Sequence, residues 1–178
     1  MKYTMVLLCT FLFASAFAAT GLKPVDADDA VTFTIKNFGL NTNGFLKGLK
    51  GNIAWDAANP GASSFSVSVD VNTINTGVDS RDNHLRKEEY FNVAKYPTLS
   101  FSSTSITGAG NGTFNATGTL VLKGVSKTVV IPFTVKPSGK GFLFEGEFAI
   151  DRRDYGVGGG SMVLGNEVKI KLKVQANP

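Results

Sequence analysis

Residues 65–71 read Phe-Ser-Val-Ser-Val-Asp-Val, a strict alternation of apolar and polar side chains. A period of two residues predicts a β-strand with one face on the protein core and the other face in water. The same alternation recurs along the chain in eight segments, which begin near residues 31, 49, 65, 99, 114, 129, 142 and 168. The sequence therefore predicts an all-β protein.

Turn motifs separate these segments. They lie at residues 59–61 (Asn-Pro-Gly), 108–112, 123–124 (Lys-Gly) and 137–141. Regular strands joined by short turns are typical of an antiparallel meander. A meander of this size hides its edges either as a closed barrel or as a two-sheet sandwich, and the alternation does not choose between them.

One stretch lacks the two-residue period. From residue 78 to residue 90 charged side chains dominate, and Asp79 and Asp82 are suited to the first turn of a helix. We predict a short helical segment over residues 79–90. Tyr96-Pro97 then favours a return to extended backbone.

The composition bounds the number of domains and the class of protein. The chain has 178 residues, of which 43% are hydrophobic and 18% charged, which predicts one hydrophobic core and excludes a disordered chain. The formal net charge of +4 comes from charges scattered along the sequence. Proteins that bind nucleic acids usually cluster their basic residues, so we predict no nucleic-acid partner.

Residues 1–19 have the features of a cleaved signal peptide. Lys2 precedes a short apolar stretch, and a segment rich in small residues follows it and ends with Ala18-Ala19. The apolar stretch is too short for a comfortable transmembrane helix, which needs about 20 residues. We predict cleavage near Ala18-Ala19, a single domain over residues 20–178, and a periplasmic or secreted location. Cys9 lies in the leader, so the mature sequence has no thiol.

The mature sequence lacks the residues that catalysis usually needs. His84 is its one histidine. Residues 159–163 differ from the Gly-x-Ser-x-Gly motif of serine hydrolases at the last position. Zinc sites need several His or Cys ligands at short spacing. We therefore predict no catalytic residue, no metal site and no cofactor. The glycine-rich residues 156–161 are interpreted as a flexible hairpin or mouth loop.

The last alternating segment carries Lys169, Lys171 and Lys173 on one face. We favour a solvated outer face, and the alternative is a basic stripe for transient contact with an anionic membrane surface. The sequence leaves a homodimer open.

With catalysis and nucleic-acid binding set aside, the sequence favours a binding protein, because eight-stranded barrels are either filled by side chains or hold one small ligand. Periodicity does not distinguish the two.

Three groups of residues are spread over the mature sequence. They are residues 44–53 (Gly-Phe-Leu-Lys-Gly-Leu-Lys-Gly-Asn-Ile), residues 81–85 (Arg-Asp-Asn-His-Leu) with 96–104, and residues 118–127 with 152–157. Together they resemble the polyisoprenoid-binding YceI-like family of bacterial exported proteins. The resemblance covers essentially residues 25–175, and the glycine-rich residues 156–161 depart from the family pattern.

The resemblance implies an eight-stranded, lipocalin-like antiparallel barrel with one short helical segment. It also implies an elongated apolar tunnel that holds an isoprenoid lipid or a quinone-like amphiphile. By strand parity and bulk, the candidate residues of the tunnel wall are Phe33, Ile35, Trp55, Val69, Phe91, Phe101, Leu120, Phe144 and Phe148.

For the polar end of the ligand the candidates are Arg81, His84 and Arg152, because a guanidinium can pair with a phosphate or quinone oxygen. The favoured alternative is structural: Arg81 with Asp82, and Arg152 with Asp154, would form salt bridges. Two further hypotheses are an enzyme that acts on such a lipid with His84 as the base, and a structural or membrane-surface interaction module.

Overall fold

The structure, a computed structural model, describes residues 20–178. The predicted signal peptide of residues 1–19, with Ala18-Ala19 and Cys9, lies outside the described residues. The strands are β1 (Thr20–Pro24), β2 (Val31–Asn37), β3 (Leu40–Trp55), β4 (Ser64–Asn75), β5 (Thr98–Gly110), β6 (Thr113–Leu122), β7 (Val125–Ser138), β8 (Gly141–Asp151) and β9 (Leu164–Asn177). One α-helix, α1 (Asp79–Leu85), and two 3₁₀ turns, Pro60–Ala62 and Arg152–Tyr155, complete the described part of the chain.

The strands form a closed antiparallel barrel. From β2 to β9 each strand pairs with the next, and β9 also pairs with β2. The barrel closes at the pairing of Val31 with Leu172 and of Phe33 with Ile170. Closure removes exposed strand edges. The eight-stranded antiparallel barrel with one short helix is confirmed.

The ninth strand does not widen the barrel, because β1 and β2 share one position in the wall. β2 pairs with the first part of β3 and the first part of β9, whereas β1 pairs with the last residues of both. Between β1 and β2 the carboxylate of Asp26 accepts hydrogen bonds from the backbone N–H groups of Gly48 and Leu49, both at 3.0 Å. That side chain therefore bridges the interruption in the wall.

The two ends of the barrel differ. The helical end carries α1, the β2–β3 turn and the 3₁₀ turn Arg152–Tyr155, and the opposite end, which we call the aromatic end, carries β1 and the β5–β6 and β7–β8 turns. Phe38 and Gly39 both have positive φ, 50° and 75°, as the tightest β-hairpin turn requires. This turn projects from the helical end.

β-Bulges interrupt the two-residue period in β3 and β4. The pairing of β3 with β4 shifts register between Phe45 and Lys50, and Gly51 has φ of 136°. In β4 the inward positions change from odd to even numbers, since Val69 and Ile74 both face the core. Val71 is buried but lies outside that core cluster.

The helix is shorter than predicted. It ends at Leu85 rather than residue 90. The residues that follow form turns, in one of which the Tyr90 N–H donates to the carbonyl of Lys87 at 3.1 Å. Arg86, the residue after the helix, donates to the backbone carbonyls of Asn72 at 2.8 Å and Ile74 at 2.9 Å. These bonds fix α1 over the helical end of the barrel.

Candidate ligand-binding site

The middle of the barrel encloses an apolar cavity of about 150 Å³, which we call the lower chamber. Every strand from β2 to β9 contributes inward side chains to it. Six of these are the predicted wall residues Phe33, Val69, Phe101, Leu120, Phe144 and Phe148. Several, such as Phe33, Phe148 and Leu172, are only half-buried although they point inward. Inward side chains that keep accessible surface indicate a hollow barrel.

A second apolar cavity, of about 120 Å³, lies toward the helical end, and we call it the upper chamber. Its wall includes the predicted residues Ile35 and Phe91 and both predicted arginines, Arg81 and Arg152. The two chambers adjoin, because both are lined by Phe33, Leu46, Leu99, Ile150 and Ile170. Together they form one elongated cavity along the barrel.

Aromatic side chains fill the other end of the barrel. The Trp55 ring meets the rings of Phe114, Phe133 and Phe144 edge-on, with centroids 5.0, 6.0 and 5.8 Å apart. Such T-shaped pairs are favourable contacts. Trp55 is 3% exposed and does not line either chamber. The structure therefore places this predicted wall residue in the packing that closes the lower chamber.

Arg152 is a buried charge on the wall of the upper chamber. It is 3% exposed, and its guanidinium donates to the backbone carbonyls of Val157 at 2.7 Å and Gly165 at 2.9 Å. Weaker contacts reach the Leu164 carbonyl at 3.4 Å and Asn166 Oδ1 at 3.5 Å. Within residues 20–178 its partners are neutral oxygens, so no carboxylate balances its charge.

Arg81 brings a second guanidinium to the upper chamber. Its Nε donates to Thr76 Oγ1 at 2.7 Å and its Nη2 to the Thr76 carbonyl at 2.9 Å. Asp82 is buried and accepts from Thr76 N–H at 2.9 Å and from Thr76 Oγ1 at 2.5 Å. Thr76 thus joins the arginine to the carboxylate without a direct ion pair.

The alternative of two structural salt bridges is wrong for these pairs. Asp154 pairs with Lys127 at 3.2 Å, and Arg152 bonds to carbonyl oxygens instead. Arg81 bonds to Thr76 rather than to Asp82. A charge in a region of low dielectric constant attracts an opposite charge strongly. Both guanidinium groups therefore stand at the wall of the upper chamber with donors bonded to Thr76 or to backbone carbonyls, and the surface that the chamber presents is apolar.

His84 lies outside both chambers. Its side chain is 48% exposed, and its Nε2 is 3.0 Å from a Glu89 carboxylate oxygen. The ring also packs 4.9 Å from that of Tyr90. The carboxylates of Asp82 and Asp154 do not contact His84 and bond instead to Thr76 and Lys127. The structure does not bring His84 together with Arg81 and Arg152 around the cavity.

Sequence reasoning missed part of the upper chamber. Leu85, Tyr90 and Val157 line it from α1, from the turns after α1 and from the loop after β8. Irregular segments have no period from which an inward face can be read. In the lower chamber Ile131 and Phe133 have the predicted inward parity of β7, so the alternation contained that signal.

Two ion pairs hold the segment between β1 and β2 on the outside of the barrel. Lys173 Nζ lies 2.7 Å from an Asp29 oxygen, which lowers the pKa of Asp29 and raises the pKa of Lys173. Lys47 pairs with Asp28 at 2.7 Å, and that carboxylate raises the pKa of Lys47. On the 3₁₀ turn after β8, burial raises the pKa of Tyr155.

The basic stripe of β9 is partly paired. Besides the contact of Lys173 with Asp29, Lys171 stands opposite Glu147 on β8. Among residues 20–178 no group of three His, Cys, Asp or Glu side chains is arranged to hold a metal ion. In the same part of the chain, no helix has the length and hydropathy needed to cross a bilayer.

Known proteins share this sequence pattern and this barrel. Residues 24–176 match the family described as the YceI-like domain. Protein YceI of Salmonella arizonae is 30% identical over 178 residues, which cover 94% of this chain and 93% of that protein.

Solved structures give the same result. BcnA of Burkholderia cenocepacia superposes with a TM-score of 0.78 at 28% identity, over 81% of this chain and 93% of that chain. A polyisoprenoid binding domain from Saccharophagus degradans, implicated in plant cell wall breakdown, has a TM-score of 0.68 at 17% identity, over 89% and 98% of the two chains. At that identity the likeness shows a common fold.

Proposed function

The chain belongs to the YceI-like domain family, and on that premise we propose that it is a non-catalytic lipid-binding protein. It holds an isoprenoid or quinone-like amphiphile in the barrel for transport, storage or scavenging. The observation that carries the proposal is the elongated apolar cavity with the guanidinium groups of Arg81 and Arg152 at its helical end. The polyisoprenoid binding domain among its structural relatives supports an isoprenoid chain as cargo.

The two chambers take different parts of such a ligand. The apolar chain occupies the lower chamber, where each CH₂ removed from water contributes about 0.8 kcal/mol. A cavity of about 150 Å³ takes a segment of about six carbons, and burial of that segment would gain about 5 kcal/mol before association and ordering costs are subtracted. The polar head occupies the upper chamber beside Arg81 and Arg152, since a guanidinium binds phosphate or carbonyl oxygens well. His84 takes no part, because it lies outside the chamber.

Extraction of the protein purified from its native host tests occupancy. We expect mass spectrometry of the organic extract to show an isoprenoid lipid in stoichiometric amount. Protein from the same host that yields no lipid above the level of an unrelated exported protein would contradict the proposal.

A pair of variants separates head binding from stability. Arg81→Gln removes a cationic group from the upper chamber, whereas Arg86→Gln removes a comparable anchor that bonds to backbone carbonyls outside it. Both variants should lower the melting temperature, and only Arg81→Gln should lower the lipid content. An equal fall in lipid content in both variants would assign Arg81 to structure alone.

The location is a proposal as well. A cleaved leader of residues 1–19 would deliver the mature domain to the periplasm or the medium. N-terminal sequencing of protein recovered from those fractions should give a chain that starts near Ala19 or Thr20. A chain that still carries Met1 would contradict export by this route.

A further inference from the structure

An exposed apolar patch lies at the helical end of the barrel. The patch consists of Phe38, Leu40, Met162 and Val163, which are 74%, 73%, 104% and 40% exposed. We call this group the tip. The backbone N–H of Phe38 donates to the carbonyl of Val163 at 2.8 Å, so the β2–β3 turn and the loop before β9 are one surface. Large apolar side chains clustered in water mark a contact site.

The tip continues the wall of the upper chamber. Asn37 and Thr42, on either side of the β2–β3 turn, line that chamber, and so does Leu164, which directly follows Val163. A ligand that enters or leaves the upper chamber at this rim would pass beside the tip.

The two segments that form the tip carry no charged residue. Residues 37–46 and residues 155–166 contain no Asp, Glu, Lys or Arg, and Lys36 is the charged residue next to the β2–β3 turn. Insertion of a charge into a bilayer is costly, whereas apolar side chains gain from contact with lipid. The tip can therefore enter the interfacial region of a membrane without moving a charge out of water.

The size of the tip argues against a stable protein partner. If a large side chain presents about 200 Å² when fully exposed, the four side chains expose roughly 500–600 Å². A standard protein–protein interface buries about 800 Å² on each partner. A hairpin tip of this area suits partial insertion into lipid, because the strength of membrane binding scales with buried apolar area and needs no shape complementarity.

We propose that the tip docks the barrel on a lipid bilayer, so that the amphiphile passes between membrane and upper chamber without crossing water. This inference rests on the proposed lipid-binding function for its cargo, and the docking contact is measured separately from the cargo. The contact differs from the basic stripe of β9, because it depends on apolar side chains at the end of the barrel rather than on lysines along its side.

Vesicle flotation tests the contact with the mature chain. The tip variant combines Phe38→Asn, Leu40→Thr and Met162→Ser; asparagine tolerates the positive φ of position 38, and threonine suits a strand. The control is Val130→Thr, which changes an apolar side chain, 51% exposed, on the outer face of β7. Vesicles of phosphatidylethanolamine and phosphatidylglycerol serve as the probe.

We expect the tip variant to bind these vesicles roughly tenfold or more weakly than the wild type, since it loses the burial of three large apolar side chains in lipid. Val130→Thr should bind like the wild type. Met162→Ser alone, at a fully exposed loop position, should show part of the loss without any effect on folding.

Other outcomes would overturn the inference. Binding that persists in the tip variant and is lost in Lys169→Gln/Lys171→Gln/Lys173→Gln would place the contact on β9. A dimer that the wild type forms and the tip variant does not would make the tip an interface between copies. If the wild type floats through its tip but yields no extractable lipid, the docking contact stands and the proposed cargo function fails.

Discussion

Arg152 Nη1 donates to the carbonyl oxygen of Val157 at 2.7 Å, and this bond ties the 3₁₀ turn after β8 to the glycine-rich loop that follows it. The same side chain reaches the Gly165 carbonyl at the start of β9. One buried guanidinium therefore holds both ends of the segment that joins β8 to β9. The loop 156–161, which the sequence leaves as a flexible mouth, is fixed at its base by this residue.

Replacement of Arg152 by Met should destabilise the barrel. Hydrogen bonds to a charged group contribute about 1.5–3 kcal/mol each, and the variant leaves the Val157 and Gly165 carbonyls without their donor. We expect a loss of about 3 kcal/mol or more in the free energy of unfolding. Urea unfolding monitored by the fluorescence of Trp55, the single tryptophan, measures it. The neighbouring exposed Arg153→Met should change stability little, and equal losses would contradict the assignment.

A larger side chain between the chambers should block the cavity. Ile150 lines both chambers, so Ile150→Trp fills existing space and should leave the melting temperature close to that of the wild type. We expect its content of long-chain lipid to fall several-fold. Ala149→Trp, on the exposed outer face next to it, is the matched control. Full lipid content in Ile150→Trp would show that the ligand does not extend through both chambers.

Gly51→Ala should weaken the β3–β4 pairing. Gly51 has φ of 136°, and an added Cβ would meet the Ser66 carbonyl oxygen and come within 2.8 Å of Val67 Cα. Strained backbone of this kind costs about 1–3 kcal/mol, and we expect a loss of that order in urea unfolding. Gly21→Ala, whose Cβ would meet no atom within 4 Å, should be neutral; a comparable loss there would argue against a local clash.

The pair of Asp29 and Lys173 should make a small pH-dependent contribution to stability. The pKa of Asp29 is lowered below its ordinary value of 3.8, so the contribution is present above that pH and is lost as the pH falls through the folded-state value. The pKa of Lys173 is raised above 10.5, so the contribution is also lost at high pH. The melting temperature of Asp29→Asn should therefore lie slightly below that of the wild type at pH 7 and converge with it at low pH.

Salt provides the check on that prediction. Both side chains are about half exposed, and exposed ion pairs are screened by salt. The difference between wild type and Asp29→Asn at pH 7 should shrink in 1 M sodium chloride, since the screening length is then about 3 Å. A difference that is independent of both salt and pH would point to packing rather than charge.

Much of the barrel wall could be predicted from alternation alone. Leu120 and Phe144 line the lower chamber as their parity indicates, and so does Ile170. Parity failed where bulges occur. Ile74 and Ile106 face the core at even positions although their strands begin with odd inward positions, because an extra residue reverses the face of all that follow.

The polar end was harder to predict. α1 presents Arg81 and Leu85 to the upper chamber, because side chains four residues apart lie on one helix face. His84, one residue before Leu85, lies on a different face of the helix, and its side chain contacts Glu89. The bulk and parity of Trp55 predict a wall residue, but its place at the last position of β3 puts it in the aromatic end. Position along a strand, which alternation does not encode, decided between lining and packing.

The shared wall position of β1 and β2 has a consequence for the order of events in folding. Lys23 stands opposite Asn177 and Pro24 opposite Ala176, so the seam of the barrel joins the first strand to the last. Contacts between distant parts of a chain form late and slow the folding rate. The cavity therefore has no complete wall until β9 is in place. A ligand can therefore be enclosed only at the end of folding or after it. A chain that stops before Leu164 would leave β2 and β8 as open edges.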